Sequence, residues 1–138
     1  MDSVYISYSI PYEHLAYEVS KIVEEKGYEA HYWKMGTDYK DNLLVLADKI
    51  VFILREYYWS MNIADMTRGI KSEVEKAHKY GIDMYVAYRR RDDIIQVYKA
   101  AFDGETLSAV RGSYLESPKT IKYELEETKS TKRKLRHK

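Results

Sequence analysis

The sequence predicts an α/β fold in which helices cover a mainly parallel sheet, and three observations carry that expectation. Short β-branched or aromatic runs recur at positions 3–10, 28–33, 49–54 and 83–88. Between them lie segments whose apolar residues are spaced as on one face of a helix. The connections are short, and a β-α-β-α-β-α-β order joined this way gives parallel strands under helices.

The first run, "SVYISYSI", is rich in strand-forming residues. The next segment places Leu15, Val19, Ile22 and Val23 on one helical face. Pro11 suits its first turn and Gly27 its end. "YEAHYW" reads as the second strand. "KMGTDYKDNLLVLAD" reads as a turn and a short helix carrying Leu43, Leu46 and Ala47. "KIVFIL" is nearly all apolar, as a parallel strand buried on both faces should be. "REYYWSMNIADMT" reads as a loop, "RGIKSEVEKAHKYG" as a helix closed by Gly81, and "DMYVAY" as the fourth strand. After Tyr88, "RRRDD" is a charged loop. "IIQVYKAAFDGETLSAVRGSY" reads as a hairpin turning at Asp103-Gly104, with a helix over 92–102 as the alternative.

The totals narrow the function classes. A length of 138 residues, 45% of them hydrophobic, suits one domain with a core. We assign it to residues 1–115, with 116–138 as a polar tail ending in the basic "KSTKRKLRHK". The net charge of +1 provides no global attraction to nucleic acid or membrane. Without cysteine there is no disulfide, thiolate chemistry or Cys-based metal site. No apolar run nears the ~20 residues that span a bilayer. "MDSVYISYSI" lacks the features of a signal peptide, so a cytoplasmic protein is expected. The 15 tyrosines are open to three readings: an aromatic ligand pocket, an oligomer interface, or a compositional bias.

Several chemistries fall away. "SYSIPY" after the first strand is not a phosphate-binding glycine loop. His14, His31, His78 and His137 lack metal-ligand spacing, and there is no Gly-x-Ser-x-Gly elbow. No cofactor is required by what remains, which is carboxylates, hydroxyls and aromatics at the carboxyl ends of the strands, where open α/β sheets bind ligands. Glu73 stands out. On a wheel of roughly 3.6 residues per turn, Ile70, Val74 and Ala77 form the apolar stripe, Glu75 points away, and Glu73 sits at the stripe's border. A carboxylate there can attack or stabilise a sugar's anomeric carbon. A charge complementing the helix dipole is the alternative.

"GIKSEVEKA" has the form G-x-x-x-E-x-x-x-A. With "VYISYSI" and "LLVLADKIVFIL", it resembles the nucleoside 2-deoxyribosyltransferase family, including its nucleotide N-glycosidase branch. The resemblance covers residues 4–88. It implies a three-layer flavodoxin-like sandwich with a mainly parallel sheet. It also implies that Glu73 is the nucleophile, that Tyr5 is an active-site residue, and that Asp41 or Asp65 handles the base or its proton. Ser7 and Ser9 would bond sugar or phosphate, with Tyr8 and Gly69 beside the substrate and Tyr57, Tyr58 and Trp59 as an aromatic wall. The partner implied is a nucleoside, a nucleotide or an NAD-like molecule, bound by a homo-oligomer.

A second resemblance competes. "VYISYS" and "LADKIVFILREYYWS" are similar to segments of TIR domains, whose catalytic glutamate also falls on Glu73 and supports cleavage of the nicotinamide–ribose bond of NAD. A rival of another class is a non-catalytic module that binds a nucleotide-derived signal or a protein.

Overall fold

The computed structural model describes residues 2–34, 36 and 44–118. Their order begins β1 (Ser3–Ser7), α1 (Glu13–Glu25), β2 (Glu29–His31), β3 (Lys49–Phe52) and β4 (Ser60–Asn62). It continues α2 (Arg68–Tyr80), β5 (Asp83–Arg89), β6 (Ile95–Phe102) and β7 (Thr106–Tyr114). Among the described residues these strands form a seven-stranded sheet in the order β2-β1-β3-β5-β6-β7-β4.

The fold is α/β, but the sheet is mixed, which corrects the expectation of a mainly parallel one. β2, β1, β3 and β5 pair in parallel. β6, β7 and β4 pair antiparallel. Tight turns explain the second half. The Arg90 amide donates to the Ile94 carbonyl (2.9 Å), which folds β6 straight back onto β5. At the next turn Asp103 Oδ1 accepts from the amides of Glu105 (2.8 Å) and Thr106 (2.7 Å). The hairpin expected at Asp103-Gly104 is therefore present, and the helical alternative is not.

The parallel half alternates its side chains between two cores. Val4, Ile6, Val51 and Ile53 join Leu15, Val19 and Val23 of α1. Tyr5, Ile50, Phe52 and Val86 join Ile70, Val74 and Ala77 of α2. A period of two along each strand makes this possible, since neighbours point to opposite faces.

Other boundaries differ from the sequence reading for local reasons. β1 stops at Ser7, because Pro11 lacks an amide donor and Ile10–Tyr12 form a 3-10 turn leading into α1. β2 is three residues long, and Tyr28 is still bonded to α1 through Val23 O (3.3 Å). Leu46, expected on an apolar helix face, is exposed, and Leu44 is buried instead. Leu43 lies outside the described residues. The stretch read as a loop after β3 contains β4, which pairs Ser60 with Ser108 across the molecule.

Candidate functional site

Residues from three segments meet in a cavity of about 470 Å³ at the carboxyl end of β1. β1 and its following turn contribute Tyr5, Tyr8 and Ser9; Trp33 comes from just past β2; Gly69 and Glu73 come from the first half of α2. Tyr5 faces the α2 side because its neighbours Val4 and Ile6 face α1. Glu73 lies on the same side because it shares the inward face of α2 with Ile70, Val74 and Ala77. It is only 9% exposed, whereas Glu75 of the same helix is exposed. The border position read from the wheel is therefore an inward one.

The start of α2 shapes the opposite wall. Thr67 is the N-cap residue, but its side chain does not cap the helix. Its Oγ1 lies 3.2 Å from Ser9 Oγ, tying the turn after β1 to the helix start. No acidic residue occupies the first turn. The early amides of α2, with Arg68 and Gly69 lining the cavity, thus present positive potential to it. A Cβ on Gly69 would meet nothing within 4 Å, so the backbone there borders open space.

Tyr8 donates a hydrogen bond to the Trp33 carbonyl and packs edge-on against Tyr32 at 6.0 Å. Burial pushes the Tyr8 hydroxyl up to about 12, and the charges of Glu13, Tyr32 and Glu73 add to the shift. Tyr8 is therefore a neutral hydroxyl within electrostatic reach of the Glu73 carboxylate.

The structure thus brings together Tyr5, Tyr8, Ser9, Gly69 and Glu73 of the residues singled out by sequence. The others lie elsewhere. Ser7 is 1% exposed, and its Oγ has no hydrogen-bond partner among the described residues. It does not line the cavity. Asp65 ends a 3-10 turn, Ile63–Asp65, and is exposed. Asp41 lies outside the described residues. The expected aromatic wall splits three ways. Tyr57 has φ 64° and turns into the α1-side core, where its hydroxyl donates to Glu18 (2.7 Å). Tyr58 is 49% exposed beneath the Arg55 guanidinium. Trp59 packs against Tyr88 and Tyr98, on the antiparallel half of the sheet.

Trp33, Thr67 and Arg68 line the cavity and are not among the residues singled out by sequence. The pattern "YEAHYW" places Trp33 inside a strand, yet it lies just past β2, at the carboxyl end of a parallel strand, where ligand crevices form. Thr67 is a Ser/Thr-type N-cap directly before the helix, which marks the edge where a cavity opens.

Chemically, a shielded carboxylate at the end of an apolar, aromatic-walled cavity can approach an electron-poor carbon. Hydroxyls and helix amides beside it can hold polar or anionic parts of the same ligand. Among the described residues, no helix is long and apolar enough to cross a membrane. No protein-family model matches the chain, and no curated protein sequence matches it.

Proposed function

We propose that this protein cleaves or transfers the N-glycosyl bond of a nucleoside or nucleotide, using Glu73 at the anomeric carbon. The observation that carries this reading is the inward placement of Glu73 in the cavity formed with Tyr5, Tyr8, Ser9 and Gly69. In the transferase form, a carboxylate oxygen of Glu73 bonds to the anomeric carbon as the bond to the base nitrogen breaks. The base leaves with its electron pair and takes up a proton. Water or a second base then displaces the carboxylate. In the hydrolase form Glu73 stabilises the oxocarbenium-like centre while water attacks. Tyr5 orients the sugar or Glu73. Ser9, Thr67 and the start of α2 hold a hydroxyl or a 5′-phosphate.

The proposal extends to architecture: a flavodoxin-like three-layer sandwich in its parallel half, within a cytoplasmic homo-oligomer. The packing of α1 and α2 against alternate sets of strand residues supports the layering.

The test is base release, followed by chromatography, from nucleosides, deoxynucleoside monophosphates and NAD. Release by wild type and not by Glu73→Gln supports the proposal. The substrate consumed separates deoxyribosyltransferase-like from TIR-like chemistry. A second reading, a non-catalytic nucleotide-binding module, is favoured by the bulk of Tyr8 and Ile10 at the cavity. Folded wild type that releases no base but binds a nucleotide, with binding that survives Glu73→Gln, would establish that reading instead.

A further inference from the structure

A second cavity, of about 520 Å³, lies on the antiparallel half of the sheet and shares no lining residue with the Glu73 cavity. We propose that this hollow, bounded by Trp59, Tyr88, Tyr98, Tyr114, Arg91 and Arg111, binds a phosphorylated planar ring of the nucleoside mono- or diphosphate class. It is a site separate from the glycosidic one and does not depend on that reading.

Its aromatic wall is continuous. Trp59 meets Tyr88 at 4.8 Å and Tyr98 at 5.2 Å between ring centroids, and Tyr98 meets Tyr114 at 5.0 Å. Tyr98 is buried, whereas Tyr114 is 45% exposed and offers a ring surface for stacking.

The positive charge comes from two places. The tight β5–β6 turn carries Arg90 and Arg91, and is closed by the Arg90–Ile94 backbone bond and by Asp92 Oδ1 accepting from the Ile94 amide (3.2 Å). Arg90 is paired with Asp92 at 3.1 Å. Arg91 and Arg111 have no carboxylate partner among the described residues. A register irregularity sets Arg111 in place. Between the pairs Tyr98–Tyr114 and Ala100–Ala109, β6 has one residue and β7 has four, 110–113. Gly112 has φ 77°, a left-handed conformation in which a side chain is strained. The extra length aims Arg111 over the Trp59 ring at 5.8 Å.

Size and arrangement choose the ligand. The volume falls within the range of roughly 300–1,000 Å³ usual for small-molecule sites. Two guanidiniums suit a phosphate, which each can grip through two N–H groups. A single-stranded nucleic acid needs successive stacking surfaces along a track. Here Trp59, Tyr88 and Tyr98 meet edge-to-face and Tyr114 is tilted against Tyr98, all around one hollow, which suits one base.

The experiment follows Trp59 fluorescence in a Trp33→Phe background, because Trp33 and Trp59 are the two tryptophans. The probes are adenosine and uridine 5′-monophosphates and 5′-diphosphates, the two nucleosides, inorganic phosphate and an oligothymidylate. Calorimetry on the otherwise unaltered protein repeats the comparison if Trp33→Phe does not fold. Saturable binding of a nucleotide is expected, weakened at least about tenfold by Arg91→Gln with Arg111→Gln and by removal of the phosphate. Both arginines are exposed, so these changes leave the fold intact. The proposal is overturned by no saturable binding or by affinity indifferent to the two arginines. It is equally overturned by inorganic phosphate binding as tightly as nucleotide, or by the oligothymidylate outcompeting mononucleotides tenfold.

Discussion

The parallel half of the sheet, β2-β1-β3-β5, is covered differently from the antiparallel half that continues it. In the parallel half, side chains feed the α1-side core and the α2-side core in turn. The Glu73 cavity lies past the strand ends and is built from a strand terminus and a helix start. In the antiparallel half, Val97 joins the α1-side core, and no residue of β7 does among the described residues. Its cavity is built from side chains standing on the strands and from an irregular edge. One sheet therefore offers two kinds of concavity, one holding a shielded carboxylate and the other rings and guanidiniums.

The sharpest way to separate the halves is catalytic. Glu73→Gln is expected to lower base release by about a thousandfold or more, because it removes the group that bonds to or stabilises the anomeric centre. Arg91→Gln with Arg111→Gln should leave base release near wild type. Loss of release in the arginine double variant would mean that the two cavities work as one.

A core truncation probes whether the halves fold together. Phe52→Ala removes a fully buried ring from β3, in the α2-side core that also holds Tyr98 and Leu107. The expected loss is about 3–5 kcal/mol. Urea unfolding should show a single transition at both Trp33 and Trp59. Two separated transitions would make the halves independent.

Alkaline titration gives the next effect. Burial, first among the causes, raises Tyr8 and Tyr28 from 10.0 to about 12, and raises Tyr57 further. The folded protein keeps these protons while the unfolded chain releases its own near pH 10. Stability is therefore intact below about pH 10 and falls as pH rises toward 12. Thermal melts across that window test it, and a midpoint flat from pH 9 to 12 would contradict it. These three tyrosines belong to the parallel half or its flanking turns.

The smallest effect is Tyr57→Phe. It removes the hydrogen bond to the exposed Glu18, with the longer contact to the Leu15 carbonyl, and keeps the ring, so a loss of about 0.5–1.5 kcal/mol is expected in denaturant unfolding. A larger loss would assign the left-handed turn at Tyr57 a greater part in joining β3 to α1.

What could be read in the sequence follows the same division. β1, β3, β5, α1 and α2 announced themselves through period and length, since both faces or one clear stripe were apolar. The hairpin was legible in Asp103-Gly104. β4 was not, because "SMN" has little strand character and its partner lies in β7, far along the chain. Without β4, and with the β-α alternation confined to residues 3–88, the sequence pattern implies a mainly parallel sheet. In the candidate site, the wheel position of Glu73 and the place of Tyr5 on β1 were readable. Trp59 was not, because adjacent aromatics at 57–59 turn to three different surroundings. In the sequence Arg90 and Arg91 belong to a charged loop and Arg111 to a hairpin strand, since only tertiary structure brings them to one hollow.

The register irregularity near Arg111 also bears on how molecules behave when crowded. β4 covers β7 only at Thr106, Leu107 and Ser108, with the Ala109 amide bonded to the Trp59 carbonyl. Beyond that point β7 runs on through residues 110–114 with no further strand beside it among the described residues, and such an edge invites another chain to add a strand. A guanidinium, a left-handed glycine and surplus length in that stretch make it a poor template for pairing. Such an irregular edge disfavours the addition of a strand from another chain, so Arg111→Val at high concentration should scatter more light than wild type.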